Sequence, residues 1–269
     1  MTAFQLTQTM DVGSANPIVA RLVPGLFDII QMARIPNERK ELIKSECHNI
    51  MKSLVSAEKA AKPLMDEIRA AEQRLCTEGV KTQNQGRVIE TPGIMSLDNA
   101  KSFLMFSKQA LQQLAAAMGV ILEKDFKGPH FHKIRDQAKL KFGLDHIVFR
   151  LLEEDQVWIK EIIDLRNEDE HPKTGKAFVR GYNISPLPQG KFLVDPPKFF
   201  NDAPVLNRLE IFSHNLLTFS EEMIAHSLEF FFPGVVCVYD IPEDQRNPEM
   251  PFRYRLGLKP GVPQPGSTT

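Results

Sequence analysis

The sequence predicts a mainly α-helical protein in which a four-helix bundle follows an N-terminal helical segment, with minor β-hairpin elements. Long stretches repeat apolar residues at helical spacing, and the few runs of β-type residues are short and lie next to Gly- and Pro-rich turns. The chain has 269 residues, of which 42% are hydrophobic and 25% charged. This composition is that of an ordinary globular protein that can bury a sizeable core.

Residues 1–95 are predicted to form the N-terminal helical segment. Residues 17–35 predict a helix broken near Pro24-Gly25, and residues 36–78 predict a long helical stretch that Pro63 kinks or divides. The polar, Gly- and Pro-punctuated residues 80–95 then predict a link to the second domain.

Residues 96–232 are predicted to form the bundle. Cap residues at 96–99 open a helix over about 98–123, and the following periodicities predict helices over about 130–142, 145–170 and 204–231. A small hairpin is expected between residues 178–184 and 191–194.

The last segment, residues 233–269, is predicted to hold a short β-hairpin and a disordered tail. Its strand candidates are residues 235–239 and 252–256, and the closing LKPGVPQPGSTT is too rich in Pro, Gly and polar residues to pack.

Charge and composition limit the classes of function. The net charge of −1 means that any polyanion must be bound by a local patch. Cys47, Cys76 and Cys237 are predicted to be reduced, buried thiols, because an odd and scattered set forms neither a disulfide framework nor a zinc site. No signal-like start or membrane-length apolar stretch is seen, which predicts a cytoplasmic protein without membrane association.

The end of the third bundle helix carries the most informative motif. It places Arg166, Asn167 and His171 within six residues, directly before Pro172. A proline disfavours the α region for the residue before it, so His171 should leave the helix while Arg166 stays on its last turn. A permanent guanidinium beside an imidazole that titrates near neutral pH suits a phosphodiester.

These three residues, in a four-helix context, resemble the HEPN superfamily of compact helical bundles, over about residues 96–232. The resemblance implies a metal-independent endoribonuclease or RNA-binding protein, of the kind found in phage defence and toxin–antitoxin systems, that acts as a homodimer. By the chemistry of RNA cleavage, His171 would be the general acid or base and Arg166 would stabilise the phosphorane. Asn167 would orient the phosphate or His171 by hydrogen bonding. No metal and no cofactor is implied.

A purely structural interpretation of the same residues competes with this one. Asp169 and Glu170 follow Arg166 at i+3 and i+4, the spacings at which helical side chains pair. The run Glu168-Asp169-Glu170 would also repel a phosphate unless it is neutralised, and it sits at the helix end that favours cations.

A basic stretch over residues 124–141 is the best local candidate for RNA contact. It holds six Lys or Arg residues against two acids, with phenylalanines between them, and phosphate contacts combined with base stacking are typical of strand binding. The predicted RNA-binding residues are Lys127, Lys133, Arg135 and Lys139. A solvated amphipathic face with core phenylalanines is the alternative.

Two other classes of function remain open at this stage. A non-catalytic helical interaction protein would use its N-terminal segment to bind a regulatory protein partner. A metal-dependent bundle enzyme, the more distant alternative, would need further ligands beside His130 and His132. DNA is not predicted as a partner.

Overall fold

The computed structural model describes residues 11–84, 87–172, 175 and 177–260 of the chain. It is mainly helical with small antiparallel strand pairs, which confirms the predicted fold class at this level. The helices are α1 Pro17–Leu22, α2 Pro24–Met32, α3 Asn37–Glu78, α4 Asn99–Leu122, α5 Phe131–Phe142, α6 Ile147–Glu154, α7 Gln156–Glu170 and α8 Val205–Glu229. The strands are β1 Thr82–Gln83, β2 Val88–Ile89, β3 Val179–Arg180, β4 Asn183–Pro186, β5 Phe192–Asp195, β6 Lys198–Phe199, β7 Val236–Asp240 and β8 Tyr254–Leu258.

The described residues group into two compact units that combine distant parts of the sequence. Within the described residues, the first contains those up to Met51, Gln113–Glu153 and those from Phe219 onward, and the second contains those of Lys52–Gln112 and Glu154–Thr218. These units differ from the three consecutive segments expected from the sequence, because long helices such as α3 contribute residues to both. The division into 1–95, 96–232 and 233–269 stays a prediction.

The first unit is built around the buried faces of α1, α2, the start of α3, and α5. The N-cap residue Asn16 begins α1 by accepting hydrogen bonds from the backbone N–H groups of Ile18 and Val19, as cap residues do. Strands β7 and β8 pair over five residues each, from Val236↔Leu258 to Asp240↔Tyr254. This pairing confirms the two predicted strands of the C-terminal segment, shifted by one or two residues.

The second unit buries apolar residues of α3, α4, α7 and α8, among them Leu64, Ile68, Phe103, Ile162 and Phe212. The predicted hairpin exists as β4 paired with β5, while β3 pairs with β6.

Three local expectations differ from the structure. Pro63 lies inside α3, which runs unbroken from Asn37 to Glu78, so a division at Pro63 is wrong, while a kink there stays a prediction. The helix predicted over 145–170 is divided at Asp155 into α6 and α7, and the Asp155 carboxylate accepts a hydrogen bond from Nε1 of Trp158 at 2.5 Å. Cys76 is exposed rather than buried, whereas Cys47 and Cys237 are buried, and all three thiols are free.

None of the described helices combines the length and the apolarity that a membrane crossing requires. The disordered tail predicted after residue 257 falls mostly on residues 261–269, which lie outside the described residues.

Candidate functional site

The Arg166 side chain is held by carboxylates of its own helix. Nη1 lies 2.9 Å from Oδ2 of Asp169 and Nη2 lies 2.8 Å from Oε1 of Glu170. The Arg166 side chain is only 15% exposed, so these contacts are partly shielded from water. Both terminal nitrogens of the guanidinium group, which would bind a phosphate, therefore contact carboxylates instead. This is the arrangement that the structural interpretation of the motif predicts.

Lys108 of α4 completes this cluster and was not identified from the sequence. Its Nζ donates to Oδ1 of Asn167 at 3.1 Å and to Oε2 of Glu170 at 3.2 Å. Lys108, followed by Arg166, lowers the pKa of the Glu170 carboxyl below its ordinary value. Glu170 is thus a carboxylate shared by two cations. No sequence signal marks Lys108, because it lies about 60 residues before the motif.

His171 lies just past the end of α7, as the motif predicted. It is the C-cap residue with φ −136° and ψ 71°, and its backbone N–H donates to the carbonyl of Asn167. His171 and Asn167 are exposed, whereas Arg166 is half-buried. Lys108 and Glu170 link Asn167 to Arg166, and the catalytic roles of the three residues stay predictions.

A groove of about 410 Å³ lies between α5 and the loop that precedes it. The residues that line it are Lys124, Asp125, Phe126, Lys127, Lys133, Asp136, Gln137 and Leu140. On α5, positions 133, 137 and 140 recur at helical spacing and face the groove, while Phe131, Ile134 and Ala138 are buried. The helix therefore presents one face to the core and another to the groove.

The loop before α5 is fixed at several points. Lys124 donates its backbone N–H to the carbonyl of Gly119 at 3.0 Å, and Glu123 adopts a left-handed φ of 57°. The Glu123 carboxylate is held at 2.8 Å by Arg39 and at 3.1 Å by Lys141. These two cations lower the pKa of Glu123. The groove is consequently formed by a loop whose start is tied to three helices.

The four predicted RNA-binding residues have different environments. Lys127 and Lys133 are exposed and line the groove, and Lys124, which was not among the predicted residues, lies with them. Arg135 pairs with Asp136 at 3.0 Å. Lys139 is exposed but is not a lining residue of the groove. Among the described residues, the ion pairs beside the groove are Arg135–Asp136, Lys141–Glu123 and Arg39–Glu123. None of these pairs uses a groove lysine.

The histidine pair at the start of α5 does not form a metal site with other ligands. The rings of His130 and His132 lie with their centroids 5.8 Å apart. Across the described part of the chain, no group of three or more His, Cys, Asp or Glu side chains is arranged to hold a metal ion.

A second cluster of charged and titratable groups in the first unit was not anticipated. Glu221 of α8 is 1% exposed and lies 2.6 Å from Arg21 of α1 and 4.0 Å from Arg253. Burial raises the pKa of the Glu221 carboxyl, although both arginines oppose this. These groups lie on segments up to 232 residues apart, so no local pattern could have indicated their contact.

Beside this cluster, Tyr254, His226 and Glu229 form a chain of hydrogen bonds. The Tyr254 hydroxyl lies 3.3 Å from Nε2 of His226, and Nδ1 of the same ring lies 3.4 Å from Oε2 of Glu229. Tyr254 is 6% exposed, and burial raises the pKa of its hydroxyl. This deeply buried phenol packs β8 against α8.

No family model, curated protein or solved structure matches the chain. The geometry of the two charged regions, the end of α7 and the groove beside α5, is therefore the basis for assigning a function.

Proposed function

We propose that the protein binds RNA through the groove formed by α5 and the loop before it. The observation that supports this is the presence of Lys124, Lys127 and Lys133 on one concave surface, exposed and outside the ion pairs of that region. Lysines whose charge is not neutralised by neighbouring acids attract phosphates and release bound counterions. The resemblance of residues 166–171 to HEPN proteins, with their helical bundle, favours RNA as the polyanion.

RNA cleavage is not part of this proposal. A catalytic arginine must be able to contact the charge that develops on phosphorus, and Arg166 is engaged by Asp169 and Glu170 on both of its terminal nitrogens. Homodimer formation, a regulatory protein partner and a cytoplasmic location stay predictions.

The test measures binding of a fluorescent mixed-sequence RNA by anisotropy at several salt concentrations. The variant Lys124→Gln/Lys127→Gln/Lys133→Gln should bind at least tenfold more weakly than wild type. Its slope of log affinity against log salt should be smaller by about 2, since each phosphate contact to a single strand contributes about 0.7.

The matched control removes three lysines that have their own acidic partners. Lys62, Lys101 and Lys160 are exposed and pair with Asp66, Asp98 and Asp164. The variant Lys62→Gln/Lys101→Gln/Lys160→Gln changes the net charge equally and should keep the wild-type slope. Equal losses in the two variants would show that only net charge matters and would overturn the proposal.

A protein-binding function is the second candidate, and one observation favours it. Leu140 on the groove is 80% exposed and Leu144, four residues later in the chain, is 54% exposed, and exposed large apolar side chains occur at interaction surfaces. If the groove binds a protein, Leu140→Ser should abolish that complex, and the groove lysine variant should leave RNA binding unchanged.

A further inference from the structure

We infer that the groove beside α5 binds unpaired nucleotides, with a base packed against Phe126 and Leu140 and the adjoining phosphates held by Lys127 and Lys133. This inference rests on the proposed RNA-binding function and specifies the form of the ligand. The chemistry is shared by single-stranded RNA and single-stranded DNA, and the experiment below separates them.

The apolar part of the groove supports an unpaired ligand. Phe126 and Leu140 line the same concave surface as the lysines, and Leu140 is 80% exposed. A duplex keeps the faces of its bases stacked inside and offers mainly phosphates and sugars to a protein surface. Apolar side chains in the lining of a cationic groove match a ligand whose base faces are accessible.

The Phe126 ring is held in place from behind. It lies close to α4 where Gly119 has no side chain: a Cβ at position 119 would be 3.6 Å from Cδ2 of Phe126 and 2.8 Å from the carbonyl oxygen of Lys124. Phe126 is half-buried, so part of the ring packs on the helix and part remains accessible. A ring that is already ordered loses little freedom when a base stacks on it.

The charges of the groove also fit a single strand. Of its two carboxylates, Asp136 is paired with Arg135 at 3.0 Å. The lining therefore contains three lysines and one further carboxylate, that of Asp125. The net positive charge is confined to a short concave segment, as expected for contact with a few successive phosphates.

Helix α5 offers an internal comparison between two exposed lysines. Lys133 lines the groove, whereas Lys139 does not. Six residues rotate a helix by about 240° beyond one turn, so the two side chains lie on different sides of α5. If the ligand follows the groove, Lys133→Gln should weaken binding several-fold, while Lys139→Gln should leave it within twofold of wild type.

The experiment measures affinity of the full chain for a single-stranded RNA, the same RNA annealed to its complement, and a single-stranded DNA of the same sequence. Wild type should prefer the single-stranded RNA over the duplex by at least tenfold. Phe126→Leu, which keeps an apolar residue without a ring, should lower single-strand affinity by about tenfold and leave duplex affinity unchanged. Phe126→Tyr should restore single-strand binding, which excludes a folding defect as the cause.

The outcomes separate the two proposals. If Lys127→Gln and Lys133→Gln reduce binding of all three nucleic acids equally and Phe126→Leu has no effect, the groove binds phosphates only and the inference is overturned while the proposed function stands. If neither the lysine nor the phenylalanine variants change binding, both are wrong. Equal affinity for the RNA and DNA single strands would support the base-stacking inference. It would also show that the groove binds unpaired strands whether they contain ribose or deoxyribose.

Discussion

Arg166 and Glu170 form an ion pair along the last turn of α7, with Nη2 of the arginine 2.8 Å from Oε1 of the carboxylate. Lys108 contacts the other oxygen of Glu170 at 3.2 Å. The Glu170 carboxylate at the end of α7 therefore bridges a lysine and an arginine. An incoming phosphate would compete with two carboxylates for the terminal nitrogens of Arg166.

We therefore expect that the purified protein does not cleave RNA. Mixed RNA incubated with wild type in the presence of EDTA should remain as intact as RNA incubated with the variant Arg166→Ala/His171→Ala, because Arg166 is neutralised. The measurement is the size distribution of the RNA on a denaturing gel. Chelator-resistant cleavage by wild type that disappears in the double variant would instead establish the endoribonuclease expected from the motif.

The buried pair of Arg21 and Glu221 gives a prediction on stability. Replacing one partner, as in Glu221→Leu, removes the carboxylate that lies 2.6 Å from the buried Arg21 and should lower the free energy of unfolding by about 3–5 kcal/mol. Replacing both, as in Arg21→Met/Glu221→Leu, should recover most of this loss, since apolar residues of similar size avoid the desolvation of two charges. Urea denaturation of the four proteins of this cycle measures the coupling. A double variant as unstable as the worse single variant would contradict the prediction.

Gly119 provides a test of how the groove is held in place. In Gly119→Ala the new Cβ would lie 2.8 Å from the Lys124 carbonyl oxygen, so the loop or the helix must shift, at a cost of about 1–3 kcal/mol. The displaced loop should also weaken RNA binding. The control is Gly93→Ala, because a Cβ at that position meets no heavy atom of the described residues within 4 Å apart from its chain neighbours. This variant should leave both stability and RNA affinity unchanged. Thermal unfolding and anisotropy measure the two effects.

The environment of His146 leads us to expect that the free energy of unfolding decreases in weak acid. Its Nδ1 accepts a hydrogen bond from the backbone N–H of Val148 at the start of α6, which requires an unprotonated nitrogen. Burial, followed by the charge of His226, lowers the pKa of His146 below its ordinary 6.5. The unfolded chain thus takes up the proton more readily. The stabilisation by unprotonated His146 is therefore fully present above pH 6.5, the ordinary pKa of the unfolded chain's histidine. It is lost as the pH falls through the lowered pKa of His146 in the folded protein.

The corresponding measurement is urea denaturation at several values between about pH 8 and pH 5. His146→Asn keeps an acceptor at the start of α6 but removes the titration, so its stability should vary less with pH than that of wild type. The exposed His132 serves as the control position, and His132→Asn should follow the wild-type profile. Identical profiles for wild type and His146→Asn would rule out His146 as the source of the pH dependence.

Much of the secondary structure could be predicted from local patterns. The helices expected over 98–123 and 130–142 are observed as Asn99–Leu122 and Phe131–Phe142, because apolar periodicity and end signals lie within each segment. The strands of the C-terminal segment were also found, although their pairing register was not. The end of α7 before Pro172 follows from backbone sterics that involve only adjacent residues.

The sequence by itself determined the mainly helical class, the ends of several helices and the presence of a basic stretch before and along α5. Only the tertiary structure decided which charged side chains are engaged in ion pairs and which can contact a ligand. In the folded chain, Arg166 contacts Asp169 and Glu170, and Glu170 also contacts Lys108. Lys133 lines the groove whereas Lys139 does not. Arg21 and Glu221, 200 residues apart in the chain, form a buried ion pair. The physical reason is that helix formation depends on neighbours a few positions apart, whereas the state of a charge depends on every group folded against it, however distant in the chain.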